Sequence, residues 1–196
     1  MNKIAVVYHS AHGHTAFIAG EIAEGVAAQG DATVAVLKAE ALIARPDELV
    51  AYDGLILGSP TYLGGVSGVF KTMMDATGGL WKRQELAGKL AAGFTVSSLP
   101  AGDKQSTLQS MFTFCMQHGM IWVGNAVLPE QHSGVAYDEA SNRLGSWTGL
   151  MAQARHGAPS DAFPPGDSKG ARLFGANFSR TLARVGRAQI VERVAA

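Results

Sequence analysis

The chain has 196 residues, a length that suits one globular domain with a sizeable buried core. Hydrophobic residues make up 47% of it, and its 16 basic side chains equal its 16 acidic ones in number, so no net charge draws it to nucleic acid or to an anionic membrane. Cys115 is the one cysteine, which excludes an internal disulfide and suits a reducing cytoplasm, where we expect the protein to be located.

The N-terminal part of the chain alternates between apolar runs and a helical stripe. Residues 3–8 form a continuous apolar run, which is typical of a parallel strand buried on both faces. Residues 15–29 carry apolar side chains at helical spacing and predict a helix that Gly30 ends, and residues 32–37 predict a second strand. Because the first run lacks a cleavage site and no run reaches the roughly 18 apolar residues of a membrane span, we expect neither a signal peptide nor a transmembrane helix.

The rest of the chain continues this alternation. The predicted elements are the strands 54–58, 90–96 and 121–127 and the helices 67–77, 106–119 and 170–188. Such alternation predicts an α/β fold, a doubly wound parallel sheet with helices on both faces. Residues 128–169 fit no element, and a structureless stretch of that length is improbable in a compact domain. We interpret it as a lid or an oligomer contact within a single domain, 1–196.

The loop between the first strand and the first helix, residues 9–15, is rich in histidine and hydroxyl groups. Ser10 and Thr15 supply hydroxyls, Gly13 permits close backbone approach, and the first N–H groups of the helix add positive partial charge. The loop has neither the lysine of a P-loop nor the glycine spacing of a Rossmann dinucleotide site. It therefore predicts a cradle for a monophosphate such as that of FMN, with an ordinary helix start as the alternative.

Two further loops end at the same edge of the predicted sheet. After the third strand, residues 60–64 form a turn that can present backbone groups and the ring of Tyr62 to a flat ligand. After the fourth strand, residues 97–102 form the third loop. Ligands of such sheets bind beyond the carboxyl ends of the strands, so three loops around one crevice suit a planar cofactor with a phosphate tail.

Four stretches carry a resemblance to a known family. They read SAHGHT at residues 10–15, GSPTYLGGVSGVFKTMMDATGGLW at 58–81, GKLAAGF at 88–94 and HGM at 118–120. On these motifs the chain resembles the flavodoxin-like NAD(P)H:quinone oxidoreductases of the WrbA family, over about residues 3–127. The resemblance implies a five-stranded sheet in the order 2-1-3-4-5, FMN as cofactor, NADPH or NADH as co-substrate, two-electron reduction of quinones, and a dimer or a dimer-of-dimers tetramer.

The resemblance also implies roles for individual residues. The FMN phosphate would be held by Ser10, Ala11, His12, Gly13, His14 and Thr15. The ring system would lie along Pro60, Thr61, Tyr62, Leu63, Gly64, Ser97, Ser98, Leu99 and Gly102. The quinone pocket would be formed by His118, Tyr62 and Trp81, with His118 donating a hydrogen bond to the quinone. The expected cycle is ping-pong: the nicotinamide nucleotide delivers its hydride and leaves, and the quinone then takes its place.

Trp81 follows one predicted helix, and His118 lies at the C-terminal end of another. Helix C-termini in such a fold lie at the amino edge of the sheet, opposite the crevice, so we expect both residues to serve the flavin of a neighbouring subunit. Packing at Trp81 and helix capping at His118 are the alternatives that the residues leave open. The loop histidines have no cysteine or carboxylate beside them, so we predict no metal site.

Two other functions fit the same fold. A flavodoxin that shuttles single electrons between proteins is usually strongly acidic, and the zero net charge does not favour that function. An NADPH-dependent flavin, azo or metal reductase uses the same exposed flavin ring, and the sequence does not separate it from a quinone reductase. It also leaves the choice between NADH and NADPH open.

Overall fold

A computed structural model describes the backbone of residues 1–194 and the side-chain surroundings of residues 1–186. The strands are β1 (Asn2–Tyr8), β2 (Ala32–Lys38), β3 (Gly54–Tyr62), β4 (Gly65–Val66), β5 (Leu90–Ser97), β6 (Ile121–Trp122) and β7 (Leu150–Gln153). The helices are α1 (His14–Ala27), α2 (Ala39–Ile43), α3 (Gly68–Ala76), α4 (Gly78–Arg83), α5 (Lys104–Gln117) and α6 (Pro165–Val194), with 3₁₀ turns at Pro46–Ala51 and Glu130–Ser133. Within this described part, no helix is both long and apolar enough to cross a bilayer.

The main path of the sheet is parallel and has the order β2-β1-β3-β5-β6. With the short strand β4 set aside, this is the order 2-1-3-4-5, so the predicted flavodoxin-like fold is confirmed. β4 forms an antiparallel hairpin with the end of β3, and β7 runs parallel to the second half of β5. The strand order reverses between β1 and β3, and the carboxyl ends of these strands are where a doubly wound sheet binds its ligand.

The fifth position of the sheet is filled by two separate pieces of chain. β6 pairs with the start of β5 and β7 with its end, so the prediction of one strand over 121–127 is wrong in its length. Asn125 turns away because its backbone N–H bonds the carbonyl of Trp147, at 2.9 Å, instead of a sheet partner. Residues 123–149 therefore form an insertion inside the fifth strand, and residues 150–153 of the segment interpreted as a lid or oligomer contact belong to the sheet.

A hydrophobic layer covers each face of the sheet. On one face α1 and α6 pack through side chains such as Ile18 and Phe174, and on the other α3 and α5 pack through Phe70 and Met111. Burying a side chain of this size contributes about 2 kcal/mol relative to leaving it in water. Cys115 lies in the second layer, where burial raises the pKa of its thiol and the side chain packs as an apolar group.

Glycines set the distance between α1 and α6. A Cβ on Gly175 of α6 would lie 2.1 Å from the carbonyl oxygen of Ile22, and one on Gly25 of α1 would lie 2.0 Å from that of Arg172. The two backbones therefore touch. α6 begins five residues before the predicted start at 170, with Pro165 in the first helical position, where a missing N–H costs no hydrogen bond.

Candidate functional site

A cavity of about 410 Å³ opens at the carboxyl edge of the sheet. Its walls come from the ends of β1, β3, β5 and β7, and the residues that line it are Ser10, Ala11, His12, His14, Thr15, Pro60, Thr61, Tyr62, Val96, Ser97, Ser98, Ala154, Arg155, His156 and Gly157. The structure therefore brings the three predicted loops together around one crevice. It adds a fourth wall, residues 154–157, which the sequence analysis did not include.

The first loop leaves its polar groups available to a ligand. Gly13 adopts a left-handed conformation (φ 87°) before α1, and no side chain of the described residues caps that helix. The first N–H groups of α1 therefore lack a side-chain partner, and they favour an anion. The hydroxyl of Ser10 is buried without a hydrogen-bond partner among the described residues, and a buried polar group of this kind calls for one. These features fit a phosphate monoester.

The second loop presents its backbone rather than the hydroxyl of Thr61. That hydroxyl is buried and lies 2.8 Å from the hydroxyls of both Thr95 and Thr107, so it holds the end of β3 in place. Leu63 and Gly64 then form the tip of the β3–β4 hairpin with positive φ values of 47° and 82°. Positive φ is uncommon for a leucine, and this one is fully exposed beyond the ring of Tyr62.

The third loop is organised by a buried lysine that the sequence analysis missed. Lys104, the first residue of α5, has no exposed surface, and its Nζ donates to the Ser97 hydroxyl and to the carbonyls of Leu99 and Pro100 at 2.8, 2.6 and 2.8 Å. Burial lowers the pKa of this ammonium to about 8. Gly102 is required beside it, because a Cβ there would lie 2.3 Å from the Ser97 hydroxyl oxygen.

Several predicted cofactor residues shape the loops without lining the cavity. They are Gly13, Leu63, Gly64, Leu99 and Gly102. The other ten predicted cofactor residues line it. Val96, Ala154, Arg155, His156 and Gly157 line it as well and were not predicted. The last four directly follow β7, and no local pattern marks that strand, so no sequence signal could have found them.

Trp81 and His118 lie at a second, separate groove of about 610 Å³ between α3, α4 and α5. Among the described residues, none lines both this groove and the first cavity. Trp81 is 52% exposed. Tyr62, the third residue predicted for the quinone pocket, lines the first cavity instead. Within one chain, therefore, the three residues are not brought together.

The ring of His118 is held in one orientation and is almost fully buried. The Thr77 hydroxyl donates to the carbonyl of Met74 at 2.7 Å, so it must accept from Nε2 of His118, 3.0 Å away. Nδ1 is then a bare acceptor in the neutral ring, buried without a partner among the described residues. Burial lowers the pKa of this imidazole and favours the neutral form. The ring atom without a partner is therefore an acceptor, and the donor atom Nε2 is engaged by the Thr77 hydroxyl.

Comparison with known proteins agrees with this geometry. Residues 2–133 match the family model of NADPH-dependent FMN reductases. The chain is 35% identical over 182 residues to Flavodoxin FldP of Pseudomonas aeruginosa (strain UCBPP-PA14), covering 92% of this chain and 96% of that protein. It is 37% identical over 165 residues to an NAD(P)H dehydrogenase (quinone) of Archaeoglobus fulgidus, covering 72% and 86% respectively. A solved flavodoxin, WrbA-like protein from Agrobacterium tumefaciens superimposes with a TM-score of 0.71 at 31% identity, over 94% of this chain and 99% of that one.

Proposed function

This chain belongs to the NADPH-dependent FMN reductase family, in its WrbA-type branch, and we propose from that premise that it is an FMN-dependent NAD(P)H dehydrogenase acting on quinones. One observation carries the proposal. The cavity of about 410 Å³ combines an uncapped helix start and a buried Ser10 hydroxyl, neither bonded to a described side chain, with two loops that suit a flat ring.

The residues of the cavity fit FMN. Ser10, Thr15 and the first N–H groups of α1 would hold the phosphate, because hydroxyls and a helix N-terminus both favour an anion. Tyr62 and the backbone of Ser97 and Ser98 would hold the ring system. When bound, FMN supplies the redox chemistry: it takes a hydride from the reduced nicotinamide and passes two electrons to the acceptor.

The remaining task of the chain is to hold the ring with one face open to two substrates in turn. Tyr62, Leu63 and Leu99 are exposed apolar side chains on the second and third loops. Such a rim suits flat rings with apolar faces, which nicotinamide and quinones both have. One open face admits one of them at a time, so we propose a ping-pong cycle with either NADPH or NADH as the donor.

We propose that a second copy of this chain completes the quinone site, in a dimer or a dimer-of-dimers tetramer. Trp81 and His118 lie at the separate groove, so within one chain they do not reach the flavin cavity. Brought to a neighbour's cavity, Trp81 would cover the ring-binding face. Nδ1 of His118 is buried at the edge of this groove without a partner among the described residues, and as an acceptor it would pair there with a hydroxyl of the reduced quinone.

A carrier function is the second candidate, because one relative of nearly full coverage is named a flavodoxin. A carrier exchanges electrons with partner proteins and needs no small-molecule donor. Direct reduction by NADPH therefore separates the two functions. A flavin, azo or metal reductase would also pass that test, and the choice of acceptor separates it from a quinone reductase.

The deciding experiment is an absorbance titration of the purified protein with FMN, followed by anaerobic NADPH and then benzoquinone. We expect the flavin band near ~450 nm to bleach with NADPH and to return with benzoquinone, because the cofactor's own redox state is observed. Free FMN at the same concentration is the control for the direct reaction. Bound flavin that NADPH leaves oxidised would favour the carrier, and absence of flavin binding would refute both functions.

A further inference from the structure

Residues 155–162 form a loop that lies over the phosphate loop, Ser10–Thr15. The loop follows β7, and its ends are joined by the bond from the Arg155 N–H to the Ala162 carbonyl, at 2.7 Å. Just beyond it, the ring of Phe163 stacks on that of Phe17 of α1 at a centroid distance of 5.4 Å. The loop is therefore closed on itself, and its C-terminal end is fixed to α1, the helix that begins in the phosphate loop.

Two contacts join the 155–162 loop to the phosphate loop directly. Nε2 of His14 lies 3.2 Å from the carbonyl oxygen of Gly157. The ring of Pro159 lies against Gly13, where a Cβ would come within 2.7 Å of it. Gly13 is thus needed for its positive φ and also for the space that Pro159 occupies. Arg155, His156 and Gly157 line the same cavity as Ser10 and Thr15.

The phosphate loop would bind an anion through neutral hydroxyls and helix N–H groups, so a cationic side chain beside it would add to the affinity for a phosphate monoester. Such a group carries between one and two negative charges at neutral pH, and the phosphate loop contains no lysine or arginine. Among the described residues that line the cavity, Arg155 is the only one of either type. Lys104 lies nearby, but its ammonium is bonded to the third loop.

The guanidinium of Arg155 is available for a ligand. Its side chain is 58% exposed, and its partner in this structure is the carboxylate of Asp138, at 2.6 Å and 49% exposed. An ion pair this exposed contributes little to stability, so a phosphate can replace or share it at small cost. A guanidinium is also the side chain best shaped to bind a phosphate through two parallel hydrogen bonds.

We propose that Arg155, which the 155–162 loop after β7 brings to the phosphate loop, is a ligand of the FMN phosphate. The proposal rests on the proposed function, since it presumes that FMN binds in this cavity. It implies that discrimination between FMN and riboflavin depends on a residue far along the chain from the phosphate loop. The 2′-phosphate of NADPH has the same chemistry. The flavin phosphate is favoured because the 155–162 loop contacts Gly13 and His14 themselves.

The test compares the affinities of wild type and Arg155→Gln for FMN and for riboflavin, which lacks the phosphate, by quenching of flavin fluorescence. We expect Arg155→Gln to weaken FMN binding about tenfold and to leave riboflavin binding within about twofold, because one charge-assisted contact is lost. Arg172→Gln is the matched control. Arg172 is 55% exposed and also pairs with carboxylates, those of Glu21 and Glu24, but it lies on α6 and does not line the cavity.

A second variant should change the affinity for FMN in the opposite direction. Asp138→Asn removes the carboxylate that competes for Arg155, so FMN should bind more tightly while riboflavin is unaffected. Equal losses for FMN and riboflavin in Arg155→Gln would overturn the proposal, since they indicate a misplaced loop. Unchanged FMN affinity in Arg155→Gln would also overturn the proposal. A fall in the preference for NADPH over NADH with unchanged FMN affinity would assign Arg155 to the 2′-phosphate of NADPH instead. Wild-type protein that binds neither flavin would refute the proposed function itself.

Discussion

At the scale of single residues, Lys104 is a buried charge that stabilises a loop, the third loop of the cavity. Its ammonium has three hydrogens and faces three acceptors, all of them in the third loop. Burial lowers its pKa from 10.5 to about 8. The negative charge of Asp167 raises this pKa, and the positive charge of Arg143 lowers it further. Deprotonation removes the charge that strengthens these three hydrogen bonds, so the third loop is held less firmly.

We therefore expect the affinity for FMN to fall as the pH rises through about 8, the pKa of Lys104. The free energy of unfolding should move the other way. Between about 8 and 10.5 the unfolded chain binds more protons than the folded one, so this group makes the protein more stable as the pH rises. The measurements are FMN titrations between about pH 6.5 and 9 and denaturation curves at the same values.

Lys104→Met provides the control for this pH effect, because it keeps an apolar stem and cannot titrate. It should bind FMN more weakly than wild type at every pH, with no further change near pH 8. If the variant kept the same step in affinity, another group would be responsible for it and Lys104 would have no part in cofactor binding.

At the scale of elements, the contact between α1 and α6 gives a sharp test of the packing. Gly175→Ala places a methyl group 2.1 Å from a backbone oxygen of α1, so the helices must move apart. We expect a loss of about 2 to 3 kcal/mol, typical of an overpacked core, in the free energy of unfolding from urea denaturation.

Gly186→Ala is the matched control for Gly175→Ala, because it makes the same change in the same helix. No described atom outside the local helix backbone lies within 4 Å of a Cβ at that position. The substitution should stabilise the protein by about 0.5 to 1 kcal/mol, since alanine favours a helix over glycine. Equal effects at the two positions would mean that α1 and α6 are not packed as closely as described.

The elements also show what a sequence can and cannot predict here. Continuous apolar runs predicted the main strands, and the place of the loop Ser10–Thr15 at the cavity follows from its position between the first strand and the first helix. The split of the fifth strand was missed, because the strand ends early where the Asn125 N–H bonds the carbonyl of Trp147, a residue distant in the sequence. Arg155 and Lys104 were missed for the same kind of reason. Each reads locally as an ordinary surface charge, and only tertiary contacts bring it to the site.

At the scale of the whole molecule, the exposed aromatic and aliphatic side chains call for an explanation. Leu63 and Leu99 lie on the loops around the cavity at the carboxyl edge of the sheet, and Trp81 lies at the separate groove between α3, α4 and α5. If the groove of one copy meets the cavity of another, residues of both copies form each active site. That arrangement predicts that two inactive variants restore activity when mixed.

Gly13→Val should lose FMN, because the new side chain meets Pro159 and a φ of 87° disfavours valine. His118→Ala should keep FMN and slow quinone reduction about tenfold or more. In a mixed dimer, the flavin bound by the His118→Ala chain meets the intact His118 of the Gly13→Val chain. Half of randomly re-formed dimers are mixed and have one native site of two, so mixing should recover about a quarter of the wild-type rate per chain. Mixed dimers that form, by size and mass, without such recovery would show that His118 serves no neighbouring flavin.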